Sequence, residues 1–124
     1  MERRKDIWWV GSAKRDMRTM PKGIRADFGY GLHEVADGRT PVGAKALKGF
    51  GSADVLELRA DEEAGTFRAV YTVRFEGLVF VLHAFQKKSH RGAATSNADV
   101  ALIKARLATA EAAFQAWKEA QGGR

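Results

Sequence analysis

The sequence has 124 residues, enough for one domain to bury an apolar core without cross-links, and it contains no cysteine. Its 21 Lys and Arg residues outnumber its 15 Asp and Glu residues, and the formal charge of +6 favours a polyanionic partner. It has neither an apolar run long enough to cross a bilayer nor the apolar segment of a signal peptide. We therefore expect a single soluble, cytoplasmic domain over residues 1–124 that does not bind membranes.

The first third of the chain predicts one strand followed by two helices. Residues 5–10 (KDIWWV) are strongly β-prone. Ser12 can cap a short helix over residues 13–20. Pro21 suits the first turn of a second helix that ends near Val35. The second helix carries an apolar stripe that can pack on a sheet, formed by Ile24, Phe28, Leu32 and Val35.

A glycine-rich loop and another strand follow. Residues 39–53 contain Pro41 and several glycines, which favour turns, and they match no nucleotide-binding loop. Residues 54–59 (DVLELR) alternate between a core side and a polar side that carries Glu57 and Arg59. The acidic turn that follows is too long to fix the pairing of this strand with the next, although we expect Arg59 to share a face with the basic residues described below.

The next two runs predict a β-hairpin. Residues 66–75 alternate between apolar and mixed positions, whereas residues 78–85 are almost continuously apolar, as in a strand covered on both sides. A two-residue loop at residues 76–77 places Phe75 opposite Leu78 and fixes every other pair of the hairpin. The register of the hairpin follows directly from this loop.

This register gives the hairpin two distinct faces. On one face Arg68 lies opposite Phe85, with His83 and Lys87 two residues to either side of Phe85. We expect Arg68 and Lys87 to reach solvent there, in a cluster of the size of a phosphate group. A one-residue slip would bury Arg68 in the apolar layer, so the pattern favours the same register as the turn. The apolar layer on the other face includes Phe67, Tyr71, Phe80 and Leu82.

A long amphipathic helix is predicted at the C-terminus. Ser96 followed by Asp99 resembles a capping box with Asp in place of Glu, and it predicts a helix over residues 96–120. A stripe of this kind packs on the core or, alternatively, binds a partner. Residues 119–124 are expected to form a frayed tail. The apolar residues of the helix recur at spacings of 3, 4, 3, 4 and 3: Val100, Ile103, Leu107, Ala110, Phe114 and Trp117.

The sequence lacks the residues that several common kinds of catalysis require. There is no cysteine nucleophile, and His33, His83 and His90 lack the spacing of metal ligands, so we expect neither a metal nor another cofactor. No acidic residue occurs between Glu76 and Asp99, and the basic face of the hairpin is expected to lack paired acids. Arginine, lysine, histidine and an aromatic residue remain, a set suited to binding a phosphodiester and stabilising charge on a phosphoryl group.

Three stretches of the chain, in this order of elements, resemble the RelE/ParE superfamily of type II toxin-antitoxin toxins and, within it, the phage-derived, HigB-like branch. The stretches are ALKGFGSADVLELR, FRAVYTV and VFVLHAFQKKSHRGAATSNADVALIKARL. The resemblance implies an α+β fold with a small, mostly antiparallel sheet, two N-terminal helices on one face and a long C-terminal helix. One departure is Ser96, where these proteins usually have proline, but serine is itself a good helix cap.

The resemblance also implies a function. Members of this branch are metal-independent endoribonucleases that cleave mRNA, on the ribosome or free of it, and inhibit translation. A cognate antitoxin, often with a helix-turn-helix domain, neutralises them. Because ParE-like relatives with the same fold act on DNA gyrase, the alternative is a non-enzymatic inhibitor that binds a protein target.

Candidate site residues follow from matching these stretches to the family. A metal-free ribonuclease needs a base for the 2′-hydroxyl, cations for the phosphorane and an acid for the leaving oxygen. For His83 the alternative role is a core histidine with satisfied hydrogen bonds, and for Phe85 it is packing alone. The matching assigns Arg68 and Arg59 as phosphate clamps, Lys87 or His83 to proton transfer, Lys88 and Arg91 to contacts with the RNA backbone, and Phe85 to base stacking.

Overall fold

The computed structural model describes residues 4–63, 65–87 and 95–122. Within them the predicted α+β order is confirmed, with a short additional strand inside the predicted loop of residues 39–53. No helix in these residues combines the length and apolarity needed to cross a bilayer. The elements are β1 (Asp6–Trp9), α1 (Ala13–Arg18), α2 (Lys22–Ala36), β2 (Lys45–Ala46), β3 (Val55–Glu62), β4 (Gly65–Thr72), β5 (Leu78–Lys87) and α3 (Asn97–Gly122).

The described strands form one sheet in the order β1-β5-β4-β3-β2. β1 pairs with β5 in parallel, whereas the other neighbouring strands are antiparallel. The first seven residues of β5 are all buried, as its continuous apolar run predicts for a strand with elements on both faces. The sheet is therefore mostly antiparallel, as predicted.

The sheet separates two apolar cores. The side chains of α1 and α2 pack on one face, where the predicted stripe from Ile24 to Val35 is buried. Gly31 does not interrupt α2, and a Cβ atom at this position would lie 3.1 Å from Leu58 Cδ1, so glycine lets the helix approach β3 closely. The α3 helix covers the opposite face with the predicted stripe, in which Ile103 and Ala110 are fully buried.

The β4–β5 register agrees with the prediction in one half and departs from it in the other. From Thr66, which pairs with Lys87, to Val70, which pairs with His83, every pair is the predicted one. A β-bulge then shifts the register, so that Tyr71 pairs with Val81. The extra residue in β5 is Leu82.

The bulge reverses the faces on which the side chains of the first half of β5 lie. Phe80 and Leu82 lie in the core beneath α3, and Val79 and Val81 lie in the core beneath α1 and α2. The prediction that Phe80 and Leu82 share a face with Tyr71 is therefore wrong. One inserted residue reverses the alternation of all side chains before it, and a single-strand pattern does not reveal the insertion.

The predicted turn at residues 76–77 is present, but the two strands do not pair as far as this turn. β4 ends at Thr72, and Phe75 does not join the ladder opposite Leu78 but accepts a turn hydrogen bond from the Leu78 N–H at 3.2 Å. Asp54 holds the chain away from β5, because its carbonyl oxygen accepts bonds from the Val73 N–H at 3.0 Å and the Thr72 hydroxyl at 2.7 Å. The connection between β4 and β5 is therefore longer than two residues, because Thr72 and Val73 bond to Asp54, the residue before β3.

The N-terminus of α3 is capped as predicted. Ser96 Oγ accepts a hydrogen bond from the Asp99 N–H at 3.1 Å and donates one to Asp99 Oδ2 at 2.8 Å. The helix continues to Gly122, so residues 119–122 of the predicted tail are helical, and residues 123–124 lie outside the described part of the chain. The cap also orients the Asp99 carboxylate.

We expect Ser96→Ala to lower the free energy of unfolding by about 1 kcal/mol, because it removes a side-chain acceptor from the first turn of α3. Urea denaturation followed by circular dichroism measures the change. Thr40→Ala, in an exposed loop position, is the control and should stay within about 0.5 kcal/mol of the parent. Equal losses in the two variants would contradict the role of Ser96 as a cap.

Candidate functional site

The face of β3, β4 and β5 beneath α3 carries three rows of paired residues. Val70 and Phe85 pack into the core under α3, which fixes the direction of the alternating side chains around them. The rows are Glu57–Val70–His83, Arg59–Arg68–Phe85 and Asp61–Thr66–Lys87. Together with Asp99 from the first turn of α3, the ionisable residues of these rows and Phe85 form what we call the charged cluster: Glu57, Arg59, Asp61, Arg68, His83, Phe85, Lys87 and Asp99.

The structure brings together the candidate residues that it describes. Arg59 pairs directly with Arg68, a register that the sequence left open, and Arg68 pairs with Phe85 as predicted. His83 and Lys87 occupy the rows on either side of them. Lys88 and Arg91 lie outside the described residues, and their predicted contacts with the RNA backbone stay predictions.

Arg68 lies at the centre of the charged cluster and is buried, with a relative exposure of 1%. Its Nη1 atom donates a hydrogen bond to the Phe67 carbonyl oxygen at 3.0 Å. Nε lies 3.6 Å from Glu57 Oε1, and Nη1 lies 3.7 Å from Asp61 Oδ1. Burial lowers the pKa of Arg68, while the Glu57 carboxylate opposes that change. These contacts hold the guanidinium in place.

The prediction that Arg68 and Lys87 reach solvent is wrong, since Lys87 is also only 9% exposed. The burial of Arg68 follows from its position on β4, which is flanked by β3 and β5, on the face that α3 covers. Alternation tells which face a residue occupies, but it does not tell how deeply neighbouring elements cover it.

Glu57 shows that the basic face also carries acids, which corrects the prediction of a face without them. The Glu57 side chain is 5% exposed, and its Oε1 atom accepts a hydrogen bond from Arg59 Nε at 3.0 Å. Its Oε2 atom lies 3.4 Å from the Thr95 hydroxyl oxygen, which donates to it. In the sequence, Glu57 lies two residues before Arg59 in a predicted strand, and this spacing places both side chains on one face of the sheet.

Asp61 and Asp99 are also members of the site, and neither was predicted to be one. With Glu57, they supply three carboxylates that match the three cations Arg59, Arg68 and Lys87 in formal charge. The charged cluster is therefore balanced in charge, which is a different electrostatic environment from the purely basic face that was predicted. A polyanion that binds here has to compete with carboxylates that are already in place.

His83 and Asp99 form a pair beside the arginines. His83 Nε2 lies 2.8 Å from Asp99 Oδ1, and the imidazole stacks on the Phe85 ring with centroids 4.3 Å apart and planes at 17°. Because a carboxylate only accepts hydrogen bonds, Nε2 is the donor in this pair. Nδ1 is buried and has no hydrogen-bond partner among the described residues. Whether His83 transfers protons or is a core histidine stays a prediction.

Lys87 completes the third row. Burial, and next the positive charge of Arg68, lower the pKa of Lys87 below its ordinary value of 10.5. A lysine in this environment releases its proton more readily than one in water. This property suits the proton-transfer role assigned to Lys87 from the resemblance.

The lowered pKa of Lys87 predicts a change of stability with pH. Between the lowered pKa and 10.5 the folded protein binds fewer protons at Lys87 than the unfolded chain does, so stability rises with pH in that interval. We expect the free energy of unfolding of the parent to increase relative to that of Lys87→Met as pH increases through it. Urea denaturation of both proteins at several alkaline pH values measures the difference. A constant difference would contradict the prediction.

The charged cluster offers no metal-binding arrangement in the described part of the chain. No group of three or more His, Asp or Glu residues there is placed to hold a metal ion. The expectation that the protein uses neither a metal nor a cofactor stays a prediction.

The whole charged cluster lies within a segment that matches a known protein family. Residues 15–108 match the family described as "Phage derived protein Gp49-like (DUF891)". This chain belongs to the Gp49-like family. No curated protein matches the sequence. The family match agrees with the phage-derived character that the resemblance predicted, and its HigB-like assignment stays a prediction.

Solved structures similar to this Gp49-like protein include two of the Escherichia coli toxin RelE. The isolated toxin aligns with a TM-score of 0.53 and 20% identity, over 81% of this chain and 96% of RelE. A RelE mutant in the free state, with two arginines replaced by alanine, aligns with a TM-score of 0.53 and 17% identity, over 69% of this chain and 86% of RelE. The Gp49-like chain thus has the fold of RelE, as predicted.

Proposed function

We propose that this Gp49-like protein is the toxin of a type II toxin-antitoxin system and that it inhibits translation by cleaving mRNA without a metal ion, on or off the ribosome. One observation carries the proposal. On one face of a RelE-type sheet, a histidine held by Asp99 and stacked on Phe85 lies beside Arg59, Arg68 and Lys87. Proton-transfer groups and phosphate-binding cations thus occur in one cluster.

The chemistry assigned to the charged cluster is an in-line displacement at phosphorus. The 2′-hydroxyl loses its proton and attacks the adjacent phosphorus, the bond to the 5′-oxygen breaks, and that oxygen takes up a proton. The products are a 2′,3′-cyclic phosphate and a 5′-hydroxyl. His83 and Lys87 are the groups assigned to the two proton transfers, and the guanidinium groups stabilise the charge that develops on the phosphoryl oxygens.

The two acidic partners of Arg68 differ in their exposure to solvent. The Asp61 side chain is 54% exposed and contacts Arg68 Nη1, whereas Glu57 is buried and contacts Nε. A phosphate that displaces Asp61 would reach one end of the guanidinium while Glu57 keeps the other end in position. Arg59, with a side chain that is 39% exposed, would bind the same phosphate from the solvent side.

RNA cleavage by the purified protein, with and without ribosomes, tests the proposed activity. We expect fragments that end in a cyclic phosphate or its hydrolysis product, and we expect cleavage to persist in the presence of EDTA. Growth arrest on expression should accompany cleavage. If the pure protein cleaves neither free nor ribosome-bound mRNA, the proposal of a ribonuclease is wrong.

We further propose that a cognate antitoxin, with a helix-turn-helix domain, binds this protein and neutralises it. The resemblance supports this partner, and the net positive charge of the chain favours an acidic or amphipathic segment of it. Co-purification with the product of the neighbouring open reading frame tests the interaction. Failure to bind that product, together with harmless expression of this protein alone, would count against a toxin.

The second candidate function is a non-enzymatic inhibitor of a protein target such as DNA gyrase. The burial of Arg68 and the charge balance of the cluster favour this candidate, because both also suit a purely structural ion-pair network. A supercoiling assay with purified gyrase separates the two functions. Inhibition of supercoiling without RNA cleavage would support the inhibitor.

A further inference from the structure

A second group of cations lies on α1 and the start of α2, on the opposite face of the sheet from the charged cluster. Both helices direct buried residues such as Met17 and Ile24 into the core beneath them. Five cationic residues on these helices are exposed. We call this group the α1–α2 basic surface: Lys14, Arg15, Arg18, Lys22 and Arg25.

The α1–α2 basic surface differs from the charged cluster in its lack of compensation. None of its five cations forms an ion pair with a described residue, whereas Arg59 and Arg68 both pair with Glu57. The single acidic residue between positions 14 and 25 is Asp16, whose carboxylate accepts a hydrogen bond from the Ser12 hydroxyl at 2.7 Å. Residues 14–25 therefore carry five positive charges and one negative charge, in a chain with a net charge of +6.

We propose that the α1–α2 basic surface binds the phosphate backbone of RNA and supplies most of the electrostatic affinity for the substrate. This inference rests on the proposed function, since it takes RNA as the ligand. Exposed cations gain affinity for a polyanion through the release of its condensed counterions. The charged cluster gains less in this way, because carboxylates already neutralise its cations.

The residue types of the α1–α2 basic surface indicate which part of an RNA it recognises. Residues 13–25 contain no aromatic residue, so this stretch offers no platform on which bases could stack. Lysine and arginine that contact only phosphates position a nucleic acid without reading its sequence. The α1–α2 basic surface is therefore expected to bind RNAs of different sequence equally well, and any sequence preference would arise at the charged cluster.

A cavity lies between the α1–α2 basic surface and the charged cluster, at the edge of β5. β1 pairs with β5 only as far as Val81, so the second half of β5 has no neighbouring strand on that side among the described residues. The cavity there has a volume of about 700 Å³. Thr19 and Met20, which follow α1, line it together with His83 and Phe85 of the charged cluster. RNA held on α1 and α2 can thus reach His83 around this edge.

Salt-dependent binding tests the inference. The triple variant Lys14→Gln/Arg15→Gln/Arg18→Gln is compared with Lys45→Gln/Lys48→Gln/Lys104→Gln, which removes the same charge from other exposed positions. The probes are oligouridylate and oligoadenylate with methylated 2′-hydroxyls, which cannot take part in the proposed cleavage. Fluorescence anisotropy at several salt concentrations gives the slope of log K against log salt. With both probes, we expect the slope of the first variant to be smaller in magnitude than that of the parent by about 2. This difference corresponds to roughly 0.7 for each single-strand phosphate contact that is lost.

The control variant should keep nearly the parental slope. Equal slopes for the two triple variants would overturn the inference, as would a loss seen with one probe only. A parent that binds vesicles rich in phosphatidylserine but not RNA would overturn it in favour of a membrane surface. Cleavage of unmodified RNA is measured separately, so the two proposals can fail independently. Binding through α1 and α2 without cleavage refutes the ribonuclease alone, and cleavage with an unchanged slope refutes this inference alone.

Discussion

Glu57→Gln should lower the free energy of unfolding by about 3 kcal/mol, because it leaves the buried guanidinium of Arg68 without its buried counter-charge. The Glu57 and Arg68 side chains are 5% and 1% exposed, so water cannot replace the lost carboxylate. Glutamine keeps the size of the side chain and isolates the effect of charge. Urea denaturation at neutral pH, followed by circular dichroism, measures the change.

Asp61→Asn is the matched control for this prediction. It removes the other carboxylate near Arg68, at 3.7 Å, but the Asp61 side chain is 54% exposed. A pair with one exposed partner contributes little, and we expect a loss of less than about 1 kcal/mol. Similar losses in both variants, or a larger loss for Asp61→Asn, would show that burial of Glu57 is not what gives this contact its strength.

Arg68→Lys should reduce RNA cleavage by about two to three orders of magnitude, as expected for loss of a preorganised donor to a developing oxyanion. Lysine keeps the charge but loses the planar fork that can bind two phosphate oxygens. Arg68→Ala should remove activity as well, but the burial of Arg68 means that it should also destabilise the protein, in contrast to a surface substitution. Single-turnover cleavage rates, with circular dichroism to confirm folding, measure the effect.

Arg74→Lys is the control for the same chemical change outside the charged cluster. Arg74 also pairs with an aspartate, at 3.0 Å from Asp54 Oδ1, and its side chain is 33% exposed. We expect it to cleave RNA at the parental rate. Folded Arg68→Lys and Lys87→Ala variants that cleave like the parent would show that the charged cluster is not the catalytic site.

The parts of the fold that follow from local periodicity could be predicted. The stripes of α2 and α3 occupy the two cores as expected, because a helical spacing directly gives the buried side of a helix. These stripes depend on residues that are near one another in the sequence. The pairing of Arg68 with Phe85 also agrees with the prediction, because the bulge at Leu82 restores the predicted register in this half of the hairpin.

The features of the fold and the site that were not predicted depend on contacts between elements, which the pattern of apolar and polar residues does not show. The bulge at Leu82 allows β5 to place aromatic residues beneath α3, and no property of Leu82 itself indicates it. The pairing of Arg59 with Arg68 depends on the length of a turn that several registers could satisfy. The sequence shows Glu57 as a neighbour of Arg59, but it does not show the contacts of Glu57 with Arg68 and Thr95 that accompany its burial. How deeply a side chain is buried depends on the assembled sheet and helices and not on the local sequence.

The parallel pairing of β1 with β5 has a consequence for the order of folding. Asp6 pairs with Leu78, so this contact closes a far larger loop of chain than the hairpins of β3, β4 and β5 do. Contacts of large sequence separation form slowly, and we expect β1 to dock after the antiparallel strands have assembled. During synthesis β1 therefore has to wait until β5 has left the ribosomal exit tunnel. The nascent chain acquires its complete sheet only when His83, Phe85 and Lys87 have also been synthesised.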